Sequence, residues 1–416
     1  MKILHLSYSI SKGGASRAAL RIHQSLLEKN INSFIKFNIL NGPELNTENI
    51  IKPSLFRSYF NKIKSAIESR ISKILRKNNF VKNSISLFPT QLHKFINKSD
   101  YDIVHLHWIN GETISIEDIG KITKPLVWTI QDMWPFTGSE HYSFNTNWKN
   151  GYSNNNKNKA NLINVDIEKF TWERKIKNWK KKINIVGTSK WITNCASNSY
   201  LMQKFPALTI NNTLDINFWK SQNKKECKKY FNLPQNIKLI GFSSLGHKNE
   251  ILKGKDLFLS AIKNINYDQK NIAFFSIGDS NEFSEIKNTK FQIYNIPKLN
   301  SDKEIRRFYN CLDLIVVPSR LEAFGQTASE AISCGIPVVC FNSTGLKDII
   351  IHKKNGYLAK PYSSKELCKG IEYILKLNKR KYEEMCLSSI KIAHKKFSFD
   401  FISNQYIKLY KRILTN

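Results

Sequence analysis

The chain has 416 residues, 41% of them hydrophobic, too many for one compact core and enough for two domains of roughly 200 residues each. No stretch approaches the roughly 18 uninterrupted apolar residues of a membrane span, and the seven cysteines, with no C-x-x-C pair, suggest neither a zinc ribbon nor a disulfide framework. Reducing cytosol is the expected compartment, and a formal charge of +32 calls for an anionic partner or for a compositional cause.

The amino terminus, MKILHLSYSI, lacks the long apolar core of a signal peptide and reads as a first β-strand, Ile3 to Tyr8. Next comes Ser11-Lys12-Gly13-Gly14-Ala15-Ser16, ahead of a helix expected from about Arg17 to Lys29. Adjacent glycines let a ligand approach the backbone, and a tight turn explains them equally well. From about Asn41 to Lys98 the sequence is polar and basic with scattered apolar residues, which reads as helices or an excursion. Between Phe56 and Lys82, and again between Trp172 and Lys182, apolar and basic residues alternate at helical spacing. Two readings stand for these runs. They can lie on acidic lipid headgroups, each lysine contributing on the order of 1 kcal/mol near the surface, or they reflect the Lys, Asn and Ile bias of the whole chain. Aromatic residues do not interleave with the basic runs in a binding motif, so nucleic acid is not an expected partner.

A strand from Asp102 to Leu106 follows, and period-two alternation places His105 and His107 on one face. His107 closes the strand at its carboxyl end and is a candidate for chemistry, whereas His105 reads as a sheet-face residue. The single D-x-D, Asp100-Tyr101-Asp102, enters at the amino end, away from the edge where open α/β sheets bind ligands, and is read as structural; no metal is expected. The strand Pro125 to Ile130 leads to Gln131-Asp132-Met133-Trp134, with His141 downstream. Asp132, His107 and His141 are candidates for chemistry, a structural role weighing equally for each. Ile183 to Gly187 is a strand whose successor helix Ser189 can cap, and strands Ile237 to Ser243 and Ile272 to Gly278 open the second half.

The richest segment runs from Leu312 to Pro361. The strand Leu314 to Val317 stops at Pro318-Ser319, a loop carries Glu322, a helix opening at about Thr327 carries Glu330, and after Gly335 a strand runs from Val338 to Phe341. Strand, loop, helix and strand in this order form a βαβ crossover with the Glu322 loop at the carboxyl edge of a parallel sheet. The opening helix offers N–H groups and the positive end of its dipole, a seat for a diphosphate.

Glu322 and Glu330, with seven residues between them inside EAFGQTASEAISCGIPVV, resemble the donor-site motif of family 4 glycosyltransferases, retaining enzymes with two Rossmann-like domains facing a cleft, the GT-B fold. The resemblance implies that Glu322 contacts the donor sugar and Glu330 the nucleotide ribose, with Ala323, Phe324, Gly325, Gln326 and Thr327 lining the donor. It also implies that Lys253, in Leu252-Lys253-Gly254-Lys255, neutralises the diphosphate, and that Gly13 and Gly14 face that diphosphate across the cleft. His247 or Lys248 is the candidate to replace the arginine usual in the family. HLHWIN and the Gln131 segment resemble a subgroup that builds colanic acid, capsule or O-antigen, in which a histidine stands where this chain has Gln131. Glutamine hydrogen-bonds a sugar hydroxyl but cannot take a proton. Cysteines usual just after that motif are replaced by Ser139-Glu140-His141-Tyr142.

These readings converge on an α/β GT-B chain with an acceptor-side domain over residues 1–210, a donor-binding domain over 211–396, and a helix over 397–416 packing back on the first. The expected activity is transfer of a hexose, with retention, from a UDP- or GDP-sugar to a lipid-linked or polysaccharide acceptor, in the cytoplasm or at the inner face of its membrane, with no separate cofactor. Alternatives are a soluble transferase for a protein or small molecule, and a non-catalytic sugar-nucleotide-binding subunit. A Rossmann oxidoreductase is disfavoured, since no G-x-G-x-x-G follows the first strand.

Overall fold

The computed structural model describes all residues except 10–12, 41–46, 76–80, 153–165, 244–249, 279–290, 298, 300 and 416. The chain divides into two units, Met1–Thr213 with Phe399–Asn416, and Leu214–Ser398. In the first, strands β1 (Lys2–Ser9), β2 (Asn32–Ile39), β3 (Ile50–Ile51), β4 (Ile103–Leu106), β5 (Leu126–Ile130), β6 (Ile183–Gly187) and β7 (Ala207–Thr209) form one sheet in the order β3-β2-β1-β4-β5-β6-β7. In the second, β8 (Lys238–Ser243), β9 (Ile272–Ile277), β10 (Gln292–Ile296), β11 (Leu314–Val317), β12 (Val338–Phe341) and β13 (Gly356–Ala359) take the order β10-β9-β8-β11-β12-β13. Every ladder in both sheets is parallel.

A parallel sheet covered on both faces requires near-continuous apolar runs. β4, β5, β6, β11 and β12 are buried at every residue, and their sequences, such as LVWTI and VVCF, supply those runs. Alternate residues of one strand serve opposite faces: Ile315 and Val317 enter one core, Leu314 and Val316 the other. The final helix, Phe399–Thr415, buries Ile402, Tyr406, Leu409 and Tyr410 in the same cluster as Ile22 and Leu26 of the helix Gly14–Leu27.

Strand order reverses once in each sheet, between β1 and β4 and between β8 and β11. Ligands of doubly wound sheets bind at the carboxyl ends of the strands flanking such a reversal. The strands anticipated from sequence lie within a residue of those observed, but the first helix begins at Gly14 rather than about Arg17. Gly13, at φ +94°, makes the turn, so Ala15 and Ser16 are already helical. The polar stretch up to Lys98 contains a helix of 21 residues, Leu55–Leu75, and a short one, Leu92–Lys98. Among the described residues no helix is long and apolar enough to cross a membrane.

Candidate functional site

Backbone packing builds the carboxyl edge at the β8/β11 reversal. After β8 the chain forms a short helix, Glu250–Lys253, and turns at Gly254, where φ is +68°. A Cβ on Gly254 would sit 2.0 Å from the carbonyl oxygen of Pro318, so the two loops touch backbone to backbone. Arg320 N–H donates to the Leu252 carbonyl at 2.8 Å, and the Arg320 guanidinium grips both carboxylate oxygens of Asp256 at 2.7 and 2.6 Å. That fork holds the Asp256 carboxyl below its ordinary range.

This bracing sets Lys253 against Glu322, with Nζ 2.7 Å from Oε2. Both side chains remain partly exposed, 38% for Lys253 and 17% for Glu322. Gly325, at φ +112°, caps the helix Gln326–Ser333, and a Cβ there would meet Leu346 at 2.6 Å. Gly345 N–H donates to the Glu322 carbonyl, fixing the loop from the other side. Ala323 and Phe324 are buried, Phe324 edge-on to Phe397, whereas Gln326 and Thr327 are half-exposed at the helix start. Glu330, one turn in, is 2% exposed and accepts a hydrogen bond from Tyr309 Oη at 2.9 Å. Sequence reasoning missed Tyr309, Arg320 and Asp256, since a tyrosine on another helix and an arginine in a loop carry no spacing signal. The candidate substitutes His247 and Lys248 lie outside the described residues.

The first sheet places its candidates differently. Gly13 stands before the helix Gly14–Leu27 with no atom of the described residues within 4 Å of a hypothetical Cβ, so Gly13 itself has open space beside it. His107 is 1% exposed, its Nε2 lying 2.9 Å from His5 Nδ1, and burial pushes its pKa down to about 3. His105 sits between Tyr410 Oη and Thr129 Oγ1, at 2.7 Å from each. Nitrogens of His5, His105 and His107 lie within 4.8 Å of one another, a spacing a metal ion could use. Both His105 nitrogens are already engaged by hydroxyls, whereas His5 Nε2 and His107 Nδ1 have no hydrogen-bond partner among the described residues.

Asp132 accepts from Trp108 Nε1 at 2.8 Å and from the Trp134 N–H at 3.1 Å, and its Oδ2 lies 2.6 Å from His141 Nδ1. His141 Nε2 in turn lies 2.9 Å from Ser84 Oγ. The atom order is that of a hydrolase relay, with Ser84 only 1% exposed at its end. Gln131 and Asn212 exchange two amide hydrogen bonds of 3.1 Å. The loop after β5, which lacks the subgroup's cysteines, is held instead by the buried Lys175, which donates to the carbonyls of Trp134, Thr137 and Gly138, and by Glu168, which takes the Ser139 N–H at 2.8 Å. Burial beside Glu140 pushes Glu168 up to about 8. Asp100 and Asp102 tie Lys2 at the amino edge of the sheet, through its ammonium and its N–H respectively.

Residues 220–391, within the second unit, match the family model described as Glycosyl transferases group 1. An uncharacterized glycosyltransferase of Methanocaldococcus jannaschii is 32% identical over 165 residues, covering 39% of this chain and 45% of that protein. The capsular polysaccharide biosynthesis glycosyltransferase CapM of Staphylococcus aureus is 24% identical over 224 residues, 52% of this chain and 58% of CapM. Matches to three of the curated relatives span 27% to 47% of their lengths, less than half of each. HepE of Anabaena, solved in complex with UDP and glucose, superposes with a TM-score of 0.63 at 15% identity over 99% of both chains. The architecture is accordingly that of GT-B glycosyltransferases: two α/β units, each with a parallel sheet.

Proposed function

We propose that the protein is a retaining glycosyltransferase that moves a hexosyl unit from a nucleotide-diphosphate sugar to a lipid-linked or polysaccharide acceptor in the cytoplasm. The observation that carries this reading is the braced pair Lys253–Glu322 beside the start of the Gln326 helix, at the strand-order reversal of the second sheet. UDP on HepE and the polysaccharide role of CapM support the donor and acceptor classes.

The chemistry follows from the leaving group, which departs with added negative charge. Lys253 has three N–H donors, one of them on Glu322, which leaves others for phosphate oxygens. The dipole of the Gln326–Ser333 helix adds positive potential at the same edge. Glu322 orients the sugar hydroxyls, and Glu330, held by Tyr309, takes the ribose hydroxyls. In this scheme the acceptor hydroxyl attacks on the face the leaving group vacates, and the departing phosphate takes its proton. Gln131 then has no proton to move and its exchange for histidine is tolerated.

The test is a screen of the purified chain against UDP-, GDP- and ADP-sugars, following released nucleoside diphosphate with and without lipid-linked acceptors, and with Glu322→Ala as control. Turnover of one donor that the substitution abolishes supports the reading. Binding without turnover would replace it with a sugar-nucleotide-binding subunit, and absence of both would remove the donor site.

A further inference from the structure

The helix Leu55–Leu75 is built inside out. Its inward seam is polar and recurs at alternating steps of three and four: Ser58, Asn61, Ser65, Glu68 and Ser72. Each of these makes a hydrogen bond to the first unit. Ser58 Oγ accepts from the Leu40 N–H at 2.9 Å, Asn61 donates to the Asn38 carbonyl at 2.9 Å, Ser65 Oγ meets Tyr8 Oη at 3.3 Å, Glu68 takes the Ile85 N–H at 2.6 Å, and Ser72 reaches the Asn83 carbonyl at 3.5 Å. The only buried residues of the helix are Ser58, Glu68 and Ser72.

Its outward face is apolar. Leu55 and Phe56 are each 81% exposed, Tyr59 65% and Ile74 62%, with Ile63 and Ile67 near 40% between them. At 100° per residue these six fall within roughly a third of the helix circumference. Surface helices of globular proteins carry the opposite arrangement, and a contiguous exposed apolar face of this size marks an interaction site. Lys62, Arg70 and Lys73 are exposed on the same side, and Glu68, the one acidic residue of the helix, is turned inward. Arg57 and Lys64 of the helix, with Lys36 of β2, also line a recess of about 250 Å³ beside it.

We propose that the helix Leu55–Leu75 lies in the plane of an anionic phospholipid surface, its apolar face among the acyl chains and its cations at the phosphates. Lys62 and Lys73 run along one edge of the stripe and Arg70 lies within it, its long side chain able to carry the guanidinium out to the phosphates, and an apolar face combined with such cations is what an anionic surface selects. A second copy of the chain is a poor occupant, because pairing this face with itself would bring like charges together. The inference does not depend on the transfer reaction, since it is read in binding rather than turnover.

The experiment is co-sedimentation of the full chain with vesicles of phosphatidylcholine, alone or mixed with phosphatidylglycerol. Three forms are compared: the natural chain, Phe56→Ser/Ile63→Ser/Ile67→Ser, and Lys62→Gln/Arg70→Gln/Lys73→Gln. The substituted positions are exposed, so unchanged thermal unfolding is expected and is checked for each form. The natural chain should bind the mixed vesicles and bind plain phosphatidylcholine at least tenfold more weakly. The serine form should lose most binding, and the glutamine form should weaken about a hundredfold at low salt. Equal binding by the natural and serine forms would overturn the proposal. So would a natural chain that ignores vesicles but dimerises in solution through contacts the serine form lacks. The glutamine form gives an independent reading should the serine form not fold.

Discussion

The carboxyl edges of the two sheets lie at equivalent points of the same strand order and are built in opposite ways. At the β8/β11 edge the backbone is locked by Gly254, Gly325 and Gly345, while the charged pair Lys253–Glu322 is left half-open. At the β1/β4 edge the polar side chains are locked instead: Asp132, His107 and His105 find partners within the protein and are almost wholly buried. An edge that fixes backbone and spares its charges is ready to bind a ligand. An edge that uses its charges as braces keeps fewer of them for a ligand. The difference follows the sequence reading, in which Glu322, Glu330 and Lys253 rest on a motif and Asp132, His107 and His141 weigh equally between structure and chemistry.

The largest expected effect lies on the open edge. Lys253→Ala removes the cation set against the departing diphosphate and should lower donor turnover about 10²–10³-fold with little change in thermal stability. A loss confined to stability would make the pair a brace like Asp132. On the closed edge the expectation inverts: Lys175→Ala strands the carbonyls of Trp134, Thr137 and Gly138 and should cost about 3 kcal/mol, seen in chemical denaturation.

The buried histidines sharpen the comparison by pH. Burial holds His107 near 3 and His23 near 4 against an ordinary 6.5, and holds His5 and His105 low as well. At these four histidines the unfolded chain therefore binds more protons than the folded one below about pH 6.5. The histidines' share of the first unit's stability should be fully present above that value and fall as pH drops toward the folded values, by up to about 1.4 kcal/mol per pH unit for each histidine, against an opposite trend from Glu168 and Glu112, which burial raises to about 8 and about 7. Denaturant titrations at neutral pH and at mildly acid pH, on the natural chain and on Glu168→Gln/Glu112→Gln, check this; a flat profile in the substituted chain would mean the imidazoles are not held neutral. The smallest effect is expected from Tyr309→Phe. Losing one hydrogen bond to Glu330 should weaken nucleotide binding about fivefold, read by titration calorimetry, with turnover at saturation unchanged.

Local pattern carried eight of the thirteen described strands, the βαβ crossover and the glutamate pair, because apolar runs and turn glycines are short-range signals, and it missed β3, β7, β10 and β13. β2 was not anticipated, although NSFIKFNI alternates buried and less buried residues as a strand next to an edge should. What fixes the site was less legible. Tyr309 reaches Glu330 from another helix and Arg320 reaches Asp256 across 64 residues, contacts that only the fold brings together. His107 illustrates the converse. Strand periodicity placed it at the carboxyl end, and only the packing of His5 and His105 around it reveals its burial. The helix Leu55–Leu75 was readable as helical, but which of its faces turns inward was not, since its seam is made by serines and an asparagine rather than by leucines.

The central claim is that the carboxyl edge of the second sheet holds the nucleotide-sugar. Hydrogen–deuterium exchange of the full chain with and without UDP tests it most directly. The account predicts that UDP slows exchange over residues 251–256 and 320–330, while the segment 131–141, already braced, is unchanged. Slowed exchange at 131–141 with none at 251–256 or 320–330 would contradict it.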